Sequence, residues 1–360
     1  MGSHPASGHL DGPTIGLIAN PASARDIRRI VANASNLQIA DRVNIVLRLL
    51  ASAGACGVKR VLMMPDRGGI RALLERSLMR ERNLHHEFPE VEFLDMEPIS
   101  TVDDTFAAAR LLRRAGVAVI VVLGGDGTHR AVVRECRDVP IAGISTGTNN
   151  AFPEMREPTL IGMAVGLYAS GVLGPERALA FNKLLEIEVN HGERRDIALV
   201  DAVVSSERCI GARALWKTES LEAAYLSFAD PLAIGLSAIG GLLHPIGRHE
   251  PMGLALELSH DGRPAQVQLH APIAPGLVRP VGIAQWNPMP PDQRFIVSQA
   301  AGTLALDGER ELPFEPGERV SVTLRDQAFP TVDVPRCLHI AAREGLFRQH
   351  DRSRQPTLFV

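Results

Sequence analysis

The chain has 360 residues, more than one hydrophobic core usually supports, so its length predicts two domains. It is 45% hydrophobic and 22% charged, and no apolar run reaches the roughly 18 residues of a membrane span, so we expect no membrane partner. A net charge of -3 without a basic cluster argues against nucleic acid. The four cysteines form no C-x-x-C pair, which argues against a zinc or dithiol site and predicts a cytoplasmic location.

The first part of the chain alternates short apolar runs with helical stretches, which predicts an α/β domain with a doubly wound parallel sheet. The strands are predicted at 15–19, 59–64, 91–94, 117–123 and 139–144. The run 117–123 is apolar throughout, so we expect a central strand that is buried on both faces. Helices are predicted from a capping box at 101–104 to Arg114, at 129–136 and at 158–169.

The second part of the chain has an alternating pattern that predicts a β-rich domain. Strands are expected at 184–189 and 197–204, with turns at 261–262, 307–308 and 316–317. The predicted boundaries are 13–155 for the α/β nucleotide-binding domain and 156–345 for the β-rich domain. Residues 1–12 and 346–360 are expected to be flexible termini.

A glycine-rich stretch between the central strand and the next helix is the strongest functional motif. It consists of Gly124, Gly125, Asp126, Gly127 and Thr128. Glycines let backbone N–H groups approach an anion, and the N-terminus of a helix adds favourable partial charge, which suits a polyphosphate. An acid here would repel phosphate unless it binds a metal or takes a proton, so Asp126 is the catalytic candidate on an exposed loop. The alternative is an ordinary turn in which Asp126 caps a helix.

A second polar loop follows the next predicted strand. Its candidate phosphate- or nucleotide-binding residues are Thr146, Gly147, Thr148, Asn149 and Asn150. Loops at the carboxyl ends of neighbouring strands form the crevice in which open α/β sheets bind ligands. An ordinary asparagine turn is the alternative interpretation.

These motifs resemble those of a known superfamily. The GGDGT motif and the turn Asn20-Pro21 after the first strand are similar to those of the NAD kinases and diacylglycerol kinases. The segments 271–280 and 306–308 resemble later NAD kinase motifs, and 63–67 and 147–153 are most similar to the acetoin-catabolism protein X group. The resemblance covers about residues 15 to 335.

The resemblance implies a fold, a reaction and a set of roles. Asp126 would orient the acceptor hydroxyl, while Asn20 and the glycine-rich residues would line the phosphate path. ATP and Mg²⁺ are the implied substrate and cofactor, and a homo-oligomer, either a dimer or a tetramer, is the implied assembly.

The sequence departs from the NAD kinases where those enzymes bind the acceptor. Val200 precedes Asp201 where they have an asparagine, and the segment from Ser237 to Leu242 lacks most of their hydroxyl groups. Asp201, Ser237 and Gly240 are therefore possible acceptor-binding residues, and the acceptor is expected to differ from NAD.

Weaker candidates flank the motif. His129 could touch phosphate or act as a base, although a helix-surface histidine is the favoured interpretation. Arg130, Arg134 and Arg279 could neutralise phosphate because the chain has no P-loop lysine, but most are expected on the surface.

The leading hypothesis is an ATP-dependent phosphotransferase acting on NAD or a related hydroxyl-bearing metabolite, with a link to acetoin catabolism. One rival is a non-catalytic protein that binds a nucleotide or metabolite on a kinase scaffold. A third interpretation, an assembly component of a dehydrogenase complex, has less support.

Overall fold

The structure is a computed structural model that describes residues 12–21, 37–83, 88–146, 150–206, 220–260, 263–274, 276–308 and 310–348. The predicted positions Gly147, Thr148 and Asn149 and the predicted turn at 261–262 lie outside the described residues. So do most residues of the expected flexible termini.

Helices and strands occur throughout the described residues. The helices are α1 (Ile39–Ala55), α2 (Ile70–Asn83), α3 (Val102–Ala115), α4 (Asp126–Cys136), α5 (Pro158–Ala169), α6 (Pro175–Ala178), α7 (Leu236–Leu243) and α8 (Val334–Arg343). The strands are β1 (Thr14–Ile18), β2 (Arg60–Met63), β3 (Glu90–Phe93), β4 (Ile120–Gly124), β5 (Ile141–Ser145), β6 (Leu179–Val189), β7 (Arg194–Ala198), β8 (Asp201–Ser205), β9 (Leu221–Leu226), β10 (Gly253–Leu258), β11 (Val267–Ala274), β12 (Leu277–Met289), β13 (Arg294–Ile296), β14 (Gly302–Leu306), β15 (Arg310–Phe314) and β16 (Val320–Val332).

The first sheet confirms the predicted doubly wound architecture. Its parallel strands have the order β3-β2-β1-β4-β5. Helices cover both faces, because β1 places Ile15 and Leu17 against α1 and α5 and places Ile18 against α3. Strand β4 is buried along its whole length, as its apolar sequence predicts.

The second sheet is antiparallel, with strand order β11-β12-β10-β9-β8-β14-β15, which confirms the predicted β-rich region. One of its faces packs on β6 and β16 through residues such as Leu185, Val204 and Leu304, and the other face is covered by α7. The first sheet continues beyond β5 with β16, β6 and β7, and β13 pairs with β16. The division of the chain near residue 155 stays a prediction.

Two local predictions were wrong. The residues at 197–204 are not one strand, because β7 ends at Ala198 in the first sheet and β8 begins at Asp201 in the second. The chain leaves one sheet for the other where the Asp307 carboxylate accepts the backbone N–H groups of Leu199 and Val200, which replaces strand pairing.

The capping box predicted at 101–104 is also not formed. Thr101 caps α3 by accepting the N–H of Asp103, whereas Asp104 accepts the N–H groups of Ile99 and Ser100. The predicted end of this helix is confirmed, with Gly116 in the left-handed region at φ 72°.

Candidate functional site

The GGDGT motif lies at the carboxyl end of β4, but it forms almost no loop. Gly124 is the last residue of β4, Gly125 is the N-cap of α4, and Asp126 is already the first residue of the helix. Asp126 is buried, with only 5% of its surface exposed, so the predicted exposed loop position was wrong. Its carboxylate oxygens accept the N–H groups of Ala151 at 3.0 Å and Phe152 at 2.8 Å.

Thr128 presents a buried hydroxyl in the first turn of α4. Its side chain fills the space beside Gly124, where an added Cβ would lie 2.6 Å from the Thr128 Cβ. The Thr128 Oγ1 is buried and has no hydrogen-bond partner among the described residues. A buried polar atom without a partner costs free energy. A hydrogen bond to a ligand would remove this cost, so the Thr128 hydroxyl is a candidate ligand contact.

His129 is fully buried, so its preferred interpretation as a surface histidine was wrong. Its Nδ1 lies 2.8 Å from the carbonyl oxygen of Gly125, and its ring packs against Phe152 with centroids 5.7 Å apart. Burial lowers the pKa of His129 to about 4, so the imidazole is neutral at pH 7. His129 therefore supports the helix start and the segment that Asp126 binds.

The other predicted residues at this sheet edge are largely structural. Asn20 follows β1 and donates to the Thr101 carbonyl at 2.9 Å and to Thr105 Oγ1 at 3.0 Å, which ties β1 to the start of α3. Thr146 is buried after β5, and its N–H donates to the Gly124 carbonyl. Asn150 donates to Ser145 Oγ at 2.8 Å.

Arg248 completes the site and has no counterpart in the sequence-based prediction. It lies between α7 and β10 and donates to the carbonyl oxygens of Phe152 at 2.5 Å and Ala151 at 2.8 Å. Its guanidinium also lies over the rings of Phe152 and Phe228. Burial lowers the pKa of Arg248, and nearby carboxylates, including Asp126, act in the opposite direction.

Lys183 holds the loop that carries Arg248. This buried β6 side chain donates to the carbonyl oxygens of Gly247 at 3.0 Å, Glu250 at 2.6 Å and Met252 at 2.6 Å. Three backbone carbonyls are thus fixed by one ammonium group. The position of Arg248 is determined by the second half of the chain.

A second buried acid, Asp307, lies in the turn after β14. It accepts backbone N–H groups from 199–201, and its Oδ2 is 3.8 Å from Arg130 Nε. Burial raises the pKa of Asp307 to about 6, against the opposing effect of Arg130, and the Asp126 carboxylate adds to the rise. The charge of Asp126 at the start of α4 therefore acts on a buried acid that follows β14 of the second sheet.

The candidate arginines have three different environments. Arg130 is buried and bonds to Asp196 at 3.1 Å, so the expectation of a surface arginine was wrong for this residue. Arg134 also reaches Asp196, at 3.5 Å, and is half exposed. Arg279 is exposed on β12. This strand lies toward the end of the second sheet that is opposite to β14 and β15.

The possible acceptor-binding residues take part in the fold of the second region. Asp201 begins β8, and its carbonyl accepts the N–H of Asp307. Ser237 is buried in α7 and donates to the Phe228 carbonyl at 3.2 Å. Gly240 lies so close to β9 that an added Cβ would be 2.3 Å from Leu226 Cδ1.

Sequence reasoning missed three members of this site. Asp307 is part of a recognised D-G turn, so the motif was a usable signal for its position. Arg248 and Asp196 belong to no motif, and only the fold brings them to α4.

The strand order, the glycine-rich helix start and the antiparallel second sheet together define an α/β protein with the NAD kinase type of fold. Residues 15–171 match the model of the ATP-NAD kinase N-terminal domain, and 183–327 match that of the acetoin catabolism protein X C-terminal domain. A Cupriavidus necator protein named "Acetoin catabolism protein X" is 60% identical over 339 residues, which cover 93% of this chain and 94% of that protein. The chain belongs to the acetoin catabolism protein X family. No helix among the described residues is long and apolar enough to cross a bilayer.

Proposed function

We propose that the protein is an NAD kinase-like phosphotransferase that uses ATP and acts on NAD or a related small metabolite with a hydroxyl group. The observation that carries this proposal is the buried acid Asp126 at the start of α4, whose charge acts on a second buried acid, Asp307, in the turn after β14. Perturbed carboxylates in a crevice are typical of catalytic sites, and the pKa of Asp307 is raised to about 6. The N–H groups of Ala151 and Phe152 fix the orientation of the Asp126 carboxylate.

Within this proposal, Asp126 orients the acceptor hydroxyl and takes its proton. Gly125, Gly127 and the Thr128 hydroxyl contact the nucleotide phosphates at the N-terminus of α4. We propose the same role for the second polar loop, of which the structure describes Thr146 and Asn150. Catalysis would come mainly from positioning and electrostatics, as is usual for phosphoryl transfer.

Mg²⁺ fits this site as an ion that arrives with the nucleotide. The described residues contain no group of three or more His, Cys, Asp or Glu side chains that could hold a metal alone. Magnesium in kinases is commonly held by one or two carboxylates together with substrate phosphates, and it neutralises phosphate charge. Asp126 would be the carboxylate that completes its coordination.

The direct test is NADP formation from Mg²⁺-ATP and NAD, with polyphosphate as an alternative donor. Val200 lacks the amide of NAD kinases, and Ala238, Ile239 and Gly241 stand in place of hydroxyl-bearing or proline residues, so NAD recognition should be weak. Loss of three hydrogen bonds of about 0.5–1.5 kcal/mol each would reduce it by about 10- to 1,000-fold. Efficient turnover at sub-millimolar NAD would contradict this expectation.

The packing of Ser237 and Gly240 also favours a second candidate, a regulatory protein that binds a nucleotide or metabolite without reaction. A thermal-shift screen with Mg²⁺-ATP, NAD, NADP and small diols would find the ligands, because a ligand of the native state raises its apparent stability. ATP binding without transfer to any hydroxyl would support the regulatory candidate. Small diols are included in the screen because the relative is named for acetoin catabolism.

We also propose that the protein is a cytoplasmic homo-oligomer.

A further inference from the structure

A cavity of about 340 Å³ lies between α3, α4 and the start of β15. Four arginines line it: Arg110, Arg130, Arg134 and Arg310. Val102 and Phe106 form an apolar part of its wall.

The positive charge on the inner wall exceeds what its carboxylate partner can accept. Arg130 and Arg134 both bond to Asp196 Oδ1, at 3.1 Å and 3.5 Å, and Arg310 bonds to Oδ2 at 3.3 Å. The N–H of Ile197 also donates to Oδ1. Each guanidinium carries five N–H donors, so one carboxylate cannot satisfy three of them.

The remaining charges of the cavity do not remove this excess. Arg110 is paired with Glu135 at 3.2 Å, and Asp103 is exposed at the first turn of α3. Arg130 has a side chain only 5% exposed and also forms an ion pair with Asp307, whose Oδ2 lies 3.8 Å from the Arg130 Nε. This Nε has no hydrogen-bond partner among the described residues. Three guanidinium groups thus share two carboxylates, Asp196 and Asp307, and a further anion would reduce the repulsion among the three positive charges.

We infer that this cavity binds a small anionic metabolite, whose carboxylate or phosphate group is held by Arg130, Arg134 and Arg310. Guanidinium groups suit both kinds of oxyanion, because their planar fork matches two oxygens at once. The ring of Phe106, which lies 5.4 Å from the Arg134 guanidinium, offers a surface for a short hydrocarbon part of the ligand. The inference concerns binding alone and stands whether or not the protein transfers phosphate.

The test measures the binding of two probes, inorganic phosphate and malonate, by calorimetry at constant ionic strength. The variant is Arg134→Gln/Arg310→Gln, since both side chains are about half exposed and Arg130 keeps its partner Asp196. Arg325→Gln is the matched control. The side chain of Arg325 is 41% exposed, close to the 42% of Arg134, and Arg325 also bonds to carboxylates. Circular dichroism checks that each variant is folded.

We expect at least one probe to bind the parent protein and to bind the double variant at least tenfold more weakly, with Arg325→Gln unchanged. Preference for malonate or for phosphate identifies the anionic group. Gly125→Val should retain probe binding even where it loses ATP, which separates this site from the proposed nucleotide site. Absence of binding by both probes, equal binding to the double variant, or equal loss in Arg325→Gln or Gly125→Val would overturn the inference.

Discussion

Arg248 and Asp126 bind the same two residues through different backbone groups. The Asp126 carboxylate accepts the N–H groups of Ala151 and Phe152, and the Arg248 guanidinium donates to their carbonyl oxygens. These two residues directly follow the predicted nucleotide-binding loop 146–150. Their position relative to α4 thus depends on a side chain about 100 residues later in the chain.

Replacement of Arg248 tests this link. We expect Arg248→Gln to lower the free energy of unfolding by about 1–3 kcal/mol, because two carbonyls lose a charged donor. It should also weaken ATP binding, since the segment after the loop loses its support. Arg248→Lys should have an intermediate effect, because lysine keeps the charge without the planar fork. Urea unfolding and calorimetry with Mg²⁺-ATP measure the two effects.

The neighbouring His249 provides the control for Arg248. His249 is exposed, and its Nδ1 contacts the carbonyl oxygen of Phe181. His249→Gln should leave ATP binding unchanged. An equal loss in this variant would mean that the loop as a whole, and not the Arg248 guanidinium, supports the site.

Asp126→Asn is expected to abolish phosphotransfer and also to destabilise the fold. An asparagine offers one acceptor oxygen, so one of the N–H groups of Ala151 and Phe152 would face an amide N–H₂ group. The expected cost is about 1–3 kcal/mol. A variant with a native circular dichroism spectrum, a lower unfolding midpoint and no product would agree; full activity would remove Asp126 from catalysis.

Thr128→Val should separate stability from binding. Valine has nearly the shape of threonine but no hydroxyl, and the Thr128 Oγ1 has no partner among the described residues. We therefore expect unchanged stability or a gain of about 1 kcal/mol. Nucleotide affinity should fall by about tenfold. The loss of one hydrogen bond to phosphate, about 1.4 kcal/mol, corresponds to a tenfold change in Kd. Lower stability with unchanged ATP affinity would contradict a ligand-binding role.

The buried His129 predicts a pH dependence of stability. Its pKa is about 4 in the folded protein and about 6.5 in the unfolded chain, so its contribution is complete above pH 6.5 and is lost as the pH falls toward 4. Between pH 6.5 and 5 this loss is about 2 kcal/mol. His129→Asn, which can still donate to the Gly125 carbonyl, should lose less stability than the parent between pH 7 and 5.

Asp307 acts with the opposite sign in the same range. Its pKa is raised to about 6, so its contribution is complete below the unfolded pKa near 3.8 and is lost as the pH rises through 6. Acidification from pH 6 to 5 should therefore recover about 1 kcal/mol, and His129→Asn would reveal this gain. Urea unfolding of parent and variant at both pH values checks it; identical pH dependence would contradict the burial of a neutral His129.

The sequence predicted the fold well where the pattern is local. The strand at 117–123 differs from β4 by three residues at its start, and the helix at 158–169 matches α5. Runs of apolar residues and caps such as Gly116 depend on near neighbours, so they are visible in one chain.

The prediction of the site from sequence was wrong where contacts between residues far apart in the chain decide the local structure. Asp126 is buried where its carboxylate binds the backbone of Ala151 and Phe152, which Arg248 holds from the other side. Ile197 is separated from Val204 in two sheets because Asp307 binds the backbone between them. The residues that cause these changes lie far away in sequence. No local pattern around Asp126 contains that information.

The place of β16 in the first sheet bears on how this protein is made in the cell. Strand β16 lies between β5 and β6 and pairs Thr331 with Ile141. Until β16 has been synthesised, β5 has no neighbour on that side and exposes an open edge. Such edges pair readily with other chains, so nascent or truncated forms should need a chaperone until the last strand is released.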